Sequence, residues 1–370
     1  MIKSKKIMML ATTDNMIWQF LLPHIKYLQD QGNTVECVCS KTGFWFDELQ
    51  NNYNLVCHEV NLPRNPLHPS IFKGWRQLKK LQKKEKYDLV YCQQPVGGVM
   101  GRMIAKKFKI PCIYTAHGFH FFKGNSKIKN LLFGTIEKHY AKYTDALVTI
   151  NQEDYEAALK FKAKKVYKIN GIGFDINKYK NPTIQKSEMK KQLGLSDEFI
   201  ILTCAEFIKR KNYDTMLKTI SELKNENIKF VVCGTGRDKE LIEKQIKDLQ
   251  IEDKVELLGY RKDINSIMNM ADIFFLPSHQ EGLTLSIIEA LNFGLPIITS
   301  NVRGNQDLVV DGKNGYVCEQ NDYKAFAAKI KYLINNPKVA KEMSIENKKA
   351  SKQYDIKNVV TELEEIYKEM

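Results

Sequence analysis

Residues 273–291 read IFFLPSHQEGLTLSIIEAL, and they predict a buried strand that runs into an amphipathic helix. The apolar run IFFL has the length of a strand and is followed by a proline. Gly282 stands where the chain must bend, and apolar side chains then recur at a helical spacing, at Leu285, Ile288 and Leu291. A helix that starts after a glycine turn presents unpaired N–H groups and the positive end of its dipole. The stretch therefore predicts a binding site for an anion such as phosphate.

Two carboxylates, Glu281 and Glu289, bracket the predicted turn. Carboxylate oxygens accept hydrogen bonds from hydroxyl groups, so this pair is suited to hold a polyhydroxylated ligand beside a bound phosphate. A glutamate-rich helix offers such a pair by chance just as readily. The spacing alone does not separate the two interpretations, and the surrounding chain has to decide between them.

Short apolar runs alternate with helical patterns along the whole chain, which indicates parallel sheets with helices on both faces. A chain of 370 residues also exceeds the size of one ordinary core. We therefore predict an α/β protein with two doubly wound, Rossmann-like domains whose ligand-binding edges face one another across a cleft. The first domain is placed at residues 1–180 and the second at residues 195–354. A C-terminal helix at residues 355–370 is expected to pack back on the first domain.

The predicted elements follow from these patterns. The predicted strands are Ile7–Ala11, Val35–Cys39, Val56–Val60, Leu89–Cys92, Cys112–Thr115, Leu147–Ile150, Val166–Ile169, Ile200–Cys204, Phe230–Cys233, Val255–Leu258, Ile273–Leu276 and Ile297–Thr299. The clearest helical patterns are Trp18–Gln29, Phe72–Lys84, Gly98–Phe108, Ile128–Lys142, Tyr323–Asn335, Lys338–Tyr354 and Ile356–Lys368. Lys180-Asn181-Pro182, before a short polar helix at Ser187–Leu193, is the predicted linker.

The composition is that of a globular protein, with 43% hydrophobic and 10% aromatic residues. No apolar run is long enough to span a bilayer, and the run that follows the N-terminal lysines ends too early for a signal peptide. The eight cysteines lie in strand-like runs without the spacing of a zinc site, so we expect reduced, mostly buried thiols. The expected location is the cytoplasm.

The net charge of +14 belongs entirely to the first half of the chain. Residues 1–180 contain 29 Lys and Arg against 14 Asp and Glu, whereas residues 181–370 contain 28 against 29. A basic half indicates an anionic partner, such as nucleic acid, a phospholipid surface or a phosphorylated substrate. A solvated, lysine-rich surface without any partner explains the same excess equally well.

Several nucleotide-binding motifs are missing or incomplete. Gly234-Thr235-Gly236 follows a predicted strand, but Lys239 stands where a dinucleotide fingerprint has its third glycine, so NAD is not expected. The sequence contains no P-loop, no kinase signature set and no GxSxG elbow. It also contains no Asp-x-Asp, which argues against a carboxylate-held divalent ion on a diphosphate.

Glu281 and Glu289, with seven residues between them after the fourth predicted strand of the second domain, resemble the E-x7-E motif of the retaining glycosyltransferases of family 4. Companion segments occur in the order of that family: TAHGFH at 115–120, KRKN at 209–212, GTG at 234–236, LGYR at 258–261 and NGY at 314–316. The resemblance covers essentially the whole chain. Further segments are similar to the subgroup acting in bacterial capsule and exopolysaccharide assembly: PVGG at 95–98, YTAHGFHFFK at 114–123 and VRGN at 302–305.

The resemblance implies the GT-B fold and a nucleotide-sugar donor, expected to be a UDP-sugar. It implies roles for the residues that match the family's motifs. Lys211 and the N–H groups of Gly282, Leu283 and Thr284 would contact the diphosphate, Glu289 the ribose and Glu281 the donor sugar. Tyr260 and Arg261 would lie near the base, His117 beside the sugar, and Gly234 among the donor-binding residues. No cofactor, metal ion or protein nucleophile is expected. Retention would proceed by front-face attack, with the diphosphate taking the acceptor proton.

The sequence departs from the family at two places. Glu206 stands where the arginine that partners the diphosphate lysine is usual, which puts one phosphate contact in doubt. Residues 14–15 read Asp-Asn where many relatives have a Gly-Gly loop, so the phosphate contacts of that loop are not carried over. Arg210 is the weaker second cation, because adjacent residues on one loop rarely both reach the same ligand. Without the resemblance, His117 is best interpreted as a satisfied loop histidine, and His120 and His139 keep that interpretation.

The acceptor is expected to be a saccharide, either free or linked to a lipid such as a polyprenyl diphosphate. Aromatic and basic side chains are mixed in the first domain, at Phe119–Lys123 with Lys127 and Lys129 shortly after. Such a surface can dock peripherally on anionic lipid at the inner face of the plasma membrane. A core position for the three phenylalanines explains the pattern about equally well.

Three other classes of function remain open. A GT-B nucleotide-sugar epimerase or hydrolase would share the nucleotide site but need no acceptor. A non-catalytic nucleotide-sugar-binding subunit is compatible with Glu206. The basic half suggests a nucleic-acid-binding module, but the sequence has no aromatic RNP strand, KH loop or zinc knuckle, so no nucleic acid is expected.

Overall fold

The fold is taken from a computed structural model, which describes residues 4–65, 68–179, 182 and 184–370. The chain forms two compact units. The first unit comprises Met1–Gly173 together with Ile356–Met370, and the second comprises Phe174–Asp355. The first change of unit therefore comes at Gly173, earlier than the predicted boundary at residue 180. Most of the predicted linker at residues 180–182 lies outside the described residues.

Parallel strands form one sheet in each unit. In chain order they are β1 Lys6–Thr13, β2 Thr34–Ser40, β3 Cys57–Glu59, β4 Leu89–Gln93, β5 Cys112–Ala116, β6 Ala146–Thr149, β7 Lys165–Lys168, β8 Phe199–Cys204, β9 Ile228–Cys233, β10 Val255–Gly259, β11 Ile273–Leu276, β12 Ile297–Ser300 and β13 Gly315–Cys318. The seven strands of the first sheet have the order β3-β2-β1-β4-β5-β6-β7, and the six of the second have the order β10-β9-β8-β11-β12-β13. The strands of both sheets are mostly apolar, because helices cover both faces of each sheet.

Helices connect the strands. In chain order they are α1 Asp14–Met16, α2 Leu22–Asp30, α3 Trp45–Asn51, α4 Ser70–Glu85, α5 Pro95–Phe108, α6 Lys127–Ala141, α7 Gln152–Ala158, α8 Lys186–Gln192, α9 Tyr213–Glu222, α10 Lys239–Asp248, α11 Ile264–Met270, α12 Leu285–Phe293, α13 Asn305–Leu308, α14 Tyr323–Asn335, α15 Pro337–Ala350 and α16 Ile356–Lys368. A π-helical turn, Ile17–Leu21, joins α1 to α2. Short 3₁₀ turns lie at Ile176–Tyr179, Lys209–Lys211 and Ser351–Tyr354.

The C-terminal helix α16 packs on the first unit. The ring of Tyr367 lies 6.4 Å from that of Tyr27 and 5.7 Å, edge to face, from that of Tyr91. Glu362 accepts a hydrogen bond of 2.8 Å from the backbone N–H of Asn170. These contacts fix the last helix against residues far earlier in the chain, so the first unit is built from both ends of the sequence.

Each predicted strand is present, with ends that differ by at most two residues. The strand β13 was missed because Gly315 reads as a strand breaker. Its glycine is required by packing, since a Cβ there would lie 2.1 Å from the carbonyl oxygen of Ile297 on β12. The predicted helix Trp18–Gln29 is interrupted by the π-helical turn, and α12 begins at Leu285, whose side chain is only half-buried rather than part of the core.

Candidate active site

The order of each sheet reverses at one point. In the second sheet this topological switch point lies between β8 and β11, which are neighbours although they are distant in sequence. The loops that leave these two strands, residues 205–212 and 277–284, therefore separate to opposite sides and open a crevice at the carboxyl edge. Ligands of doubly wound sheets bind in such crevices, so the fold itself places a candidate site at these loops.

A cluster of two cations and one carboxylate occupies this switch point, with Lys211 and Glu281 buried and Arg210 partly exposed. Lys211 Nζ lies 2.7 Å from Glu281 Oε1, and Arg210 Nη1 lies 2.6 Å from Glu281 Oε2. Arg210 Nη1 also donates to the carbonyl of Gln280 at 2.8 Å. Only 7% of Glu281 and 8% of Lys211 is exposed. Arg210, which was ranked below Lys211 as a contact of the diphosphate, shares the carboxylate of Glu281 with Lys211, each through a different oxygen.

The cluster keeps its carboxylate ionised. Burial by itself would raise the pKa of Glu281, but the charges of Lys211 and Arg210 outweigh it and hold this pKa below its ordinary value. Burial lowers the pKa of Lys211, and the attraction of Glu281 opposes this effect. Two cationic side chains share the carboxylate of Glu281, and such groups are also suited to interact with a phosphate.

The predicted anion-binding turn lies directly beside this cluster. Helix α12 starts at Leu285, and Thr284 is its N-cap residue, with a carbonyl that accepts from the N–H groups of Ile287 and Ile288. Residues 281–284 therefore form a turn ahead of the helix rather than its first turn. Their N–H groups lie at the positive end of the α12 dipole, which is the position that favours an anion.

Three consecutive residues that the sequence reasoning gave no role brace the turn 281–284. Arg303 Nε donates to the carbonyl of Glu281 at 3.2 Å. The hydroxyl of Thr284 donates to Asn305 Oδ1 at 2.7 Å. A Cβ on Gly304 would lie 2.2 Å from the carbonyl oxygen of Gly282, so only glycine fits at position 304. The VRGN segment carried the signal, since it marked the subgroup, but its contact with the turn depends on tertiary structure.

The other predicted donor residues lie around the same edge. Glu289 is half-buried on α12. Its charge adds a small increase to the pKa of Cys204 at the end of β8, after the larger effects of burial and of Cys233. The backbone at Gly234 packs on the first residue after β8, since a Cβ there would lie 1.9 Å from the carbonyl oxygen of Ala205. Tyr260 is 74% exposed at the end of β10, and Arg261 is held by Asp263 at 2.5 Å.

Glu206 is exposed on the loop that follows β8, and its charge acts to raise the pKa of Lys211. The carboxylate therefore faces the cation cluster from the position where an arginine was expected. The second cation at Lys211 is Arg210, four residues later on the same loop. The switch point thus contains two cationic side chains in spite of the departure at Glu206.

His117 follows β5 in the first unit and is neutral at physiological pH. Burial lowers its pKa to about 3, and the nearby His24 adds a smaller effect of the same sign. His117 Nε2 lies 2.6 Å from Gln93 Oε1 at the end of β4. His24 is buried, and its Nε2 lies 2.6 Å from the carbonyl oxygen of Ile172. The switch point of the first sheet lies between β1 and β4, so His117 stands one strand away from it.

The run at residues 119–123 is divided between surface and core: His120 and Lys123 are exposed, and Phe121 and Phe122 are half-buried. Phe119 is 2% exposed and stacks on Phe121 at a centroid distance of 4.8 Å, so the ring belongs to the core of the first unit. Exposed apolar side chains lie instead on α6, where Ile128, Leu131 and Leu132 are 80%, 74% and 52% exposed. Among the described residues, no helix is both long and apolar enough to cross a bilayer.

Two Rossmann-like domains, with a polar cluster at the switch point of the second, define a GT-B protein. The profile "Glycosyl transferases group 1" matches residues 185–350, and "Glycosyl transferase 4-like" matches residues 6–151. EpsD of Bacillus subtilis, which is named as a glycosyltransferase, is 30% identical over 98% of this chain and 96% of its own. The chain therefore belongs to glycosyltransferase family 4, in the group that contains bacterial capsule and exopolysaccharide enzymes.

Two further comparisons agree with this family. An Escherichia coli enzyme, named UDP-Gal:α-D-GlcNAc-diphosphoundecaprenol α-1,3-galactosyltransferase, is 30% identical over 82% of this chain and 81% of its own. The crystal structure of Anabaena HepE in complex with UDP matches 99% of this chain and all of its own, with a TM-score of 0.84 at 20% identity. The HepE structure supports the fold, and the Escherichia coli enzyme supports the family.

Proposed function

We propose that this glycosyltransferase moves a sugar from a UDP-sugar, with retention and without a metal ion, to a saccharide linked to a polyprenyl diphosphate. The observation that carries the proposal is the cluster of Lys211, Arg210 and Glu281 beside the turn that precedes α12. It joins cationic groups, a carboxylate and a helix N-terminus at one switch point. A nucleotide sugar offers the complementary set of a diphosphate and a ring of hydroxyl groups.

Charge develops on the leaving nucleoside diphosphate as the glycosidic bond breaks, so groups aimed at that charge accelerate the step. Lys211 and Arg210 would supply positive charge, and the N–H groups of residues 282–284 would donate hydrogen bonds. Glu281 would accept from hydroxyl groups of the donor sugar, and Glu289 from those of the ribose. These side chains would perform the neutralisation that a divalent ion performs elsewhere, and the diphosphate itself would take the acceptor proton.

The identity of the acceptor is proposed from relatives. The Escherichia coli relative acts, by its name, on a sugar attached to diphosphoundecaprenol, with UDP-Gal as donor. A Campylobacter jejuni relative, 24% identical over 94% of this chain, is likewise named for a diphospho-undecaprenol acceptor. A lipid diphosphate is an anion, which agrees with the excess of basic residues in the first half of this chain.

The donor is tested by a release assay with a panel of UDP- and GDP-sugars and a short-chain lipid-diphosphate saccharide. We expect UDP release that depends on the acceptor and continues in EDTA. The new anomeric linkage, determined by NMR, should keep the configuration of the donor. Conversion of the donor without any acceptor would indicate an epimerase or hydrolase instead, and binding of UDP without turnover on any donor would indicate a non-catalytic subunit.

The lipid-linked acceptor implies contact with a membrane, and α6 offers a surface for it. Ile128, Leu131 and Leu132 are spaced so that they share one side of the helix. The acidic residue of α6, Glu137, is buried and paired with Arg102, whereas the lysines at 127, 129 and 138 are exposed. An apolar side flanked by exposed cations complements an anionic lipid bilayer, so we propose that this α6 face docks peripherally on one.

Replacement of Ile128, Leu131 and Leu132 together by serine should reduce co-sedimentation with phosphatidylglycerol vesicles at low salt by at least about tenfold, because their burial drives insertion. Serine at Leu241 and Ile345, which are 64% and 50% exposed in the second unit, is the matched control and should leave binding unchanged. Equal binding of the two variants, or no binding of the wild-type protein, would contradict the proposal. Equal binding of the wild-type protein to neutral and anionic vesicles would show that attraction between the lysines and anionic lipid does not contribute.

A further inference from the structure

Three aromatic side chains lie together at the carboxyl edge of the first sheet. The ring centroid of Trp45 lies 4.1 Å from that of Trp18 and 3.9 Å from that of Phe44. Trp18 lies in the π-helical turn after β1, and Phe44 and Trp45 lie at the start of α3 after β2. We call Trp18, Phe44 and Trp45 the aromatic platform.

Packing needs do not account for the whole platform. Helix α3 is anchored by Phe46 and Leu49, which are 6% and 0% exposed. Phe44, in contrast, is 63% exposed, and Trp45 is half-buried, so both present apolar surface to solvent. π-Helical turns are rare and occur frequently at functional sites, and here such a turn carries Trp18. The platform therefore has the features of a binding surface rather than of a core.

Separate hydrogen bonds join neighbouring loops along the edge that runs from the platform to His117. The N–H of Thr42, on the loop after β2, donates to Asp14 Oδ2 at 3.0 Å. The N–H of Thr12 on β1 donates to Gln94 Oε1 at 3.0 Å, and Gln93, the preceding residue, contacts His117. The loops after β2, β1, β4 and β5 therefore form one continuous rim. Three strand spacings of about 4.8 Å give it a length of roughly 14 Å.

We infer that the aromatic platform binds a sugar ring of the acceptor other than the one that is glycosylated. The C–H groups on the face of a pyranose ring pack against the electron-rich face of an aromatic ring. A rim of roughly 14 Å exceeds the length of one pyranose ring, so an acceptor whose reacting sugar lies toward His117 places its next sugar on the platform. This inference rests on the proposed transferase function and adds to it that the acceptor carries at least two sugar rings.

The inference is tested with two short-chain lipid-diphosphate acceptors, one with a single N-acetylhexosamine ring and one with two. Trp45→Ala and Phe44→Ala should each raise the KM of the two-ring acceptor about tenfold, which corresponds to about 1.4 kcal/mol. The KM of the one-ring acceptor, the KM of the donor and kcat should change by less than twofold. Phe72→Ala removes a phenylalanine that is 71% exposed on α4 and is the matched control, which should behave as the wild type.

Tryptophan fluorescence tests the same contact without turnover. The chain has three tryptophans, so Trp75→Phe leaves only Trp18 and Trp45, both in the platform. The two-ring acceptor alone should change the emission of this variant, and the one-ring acceptor should change it far less. No change with the two-ring acceptor, or an equal KM effect on both acceptors, would overturn the inference. Absence of UDP release from the wild-type protein would instead overturn the proposed function, whatever the fluorescence shows.

Discussion

Lys211→Ala is expected to lower kcat/KM by about 10²–10³-fold, the usual effect of removing one group that stabilises the charge of a leaving group. Lys211 lies at the switch point of the second sheet, 2.7 Å from Glu281, and is almost fully buried. Its loss removes positive charge from the place where the diphosphate would bind. The measurement is steady-state release of UDP at saturating acceptor.

Lys218→Ala is the matched control for this substitution. Lys218 lies in α9, shortly after the cluster, and its pair with Asp214 is exposed, so its loss should leave turnover unchanged. Glu281→Gln keeps the shape of the carboxylate and should lower turnover with a smaller effect on stability than Glu281→Ala. Thermal unfolding of each variant separates loss of function from loss of fold. Turnover of Lys211→Ala equal to that of Lys218→Ala would refute the assigned site.

Glu137→Ala is expected to destabilise the first unit by about 3–5 kcal/mol, because it leaves a buried guanidinium without its partner. Arg102 has no exposed side-chain surface, and its Nη1 lies 2.8 Å from Glu137 Oε2. Burial by itself would lower the pKa of Arg102, but the charge of Glu137 holds the pKa of Arg102 above its ordinary value. Equilibrium unfolding in urea, followed through the transition of the first unit, gives the change.

The Arg102–Glu137 pair also offers an internal control. The double variant Arg102→Met with Glu137→Leu leaves no buried charge, so it should lose less stability than Glu137→Ala alone. The exposed pair of Lys41 and Asp47 gives the surface comparison, and Asp47→Ala should cost less than about 1 kcal/mol. A cost for Glu137→Ala no larger than that of Asp47→Ala would show that the buried pair does not hold α6 on α5.

The alternation of strands and helices was readable from the sequence because it depends on local patterns. Apolar runs of strand length recur between helical segments, and burial on both faces keeps those runs uninterrupted. The strand β13 was not predicted because it contains Gly315, and glycine is uncommon in strands. Gly315 is required by the close packing of the Ile297 backbone, which no local pattern indicates. The π-helical turn was missed for a similar reason, since no residue pattern marks it.

The site was predicted in part. Motifs located Glu281 and Lys211, but their direct pairing joins two loops that lie 70 residues apart in the sequence, so no local pattern indicates it. The participation of Arg210 and Arg303 follows from the same tertiary arrangement, which brings side chains from two other loops to the turn 281–284. The core position of Phe119 was left open for a different reason, because a run of aromatic residues indicates burial and exposure equally well.

The chain leaves the first unit at Gly173 and returns to it at Ile356, and these two crossings lie side by side. Phe174 and Asp355, the first and last residues of the second unit, form a parallel bridge, and the N–H of Phe174 donates to the carbonyl of Tyr354 at 3.0 Å. In the first unit, the backbone of Gly173 is in close contact with Ile356. The second unit is therefore an insertion with adjoining ends. A short peptide link between Gly173 and Ile356 would therefore keep the connectivity of the first unit.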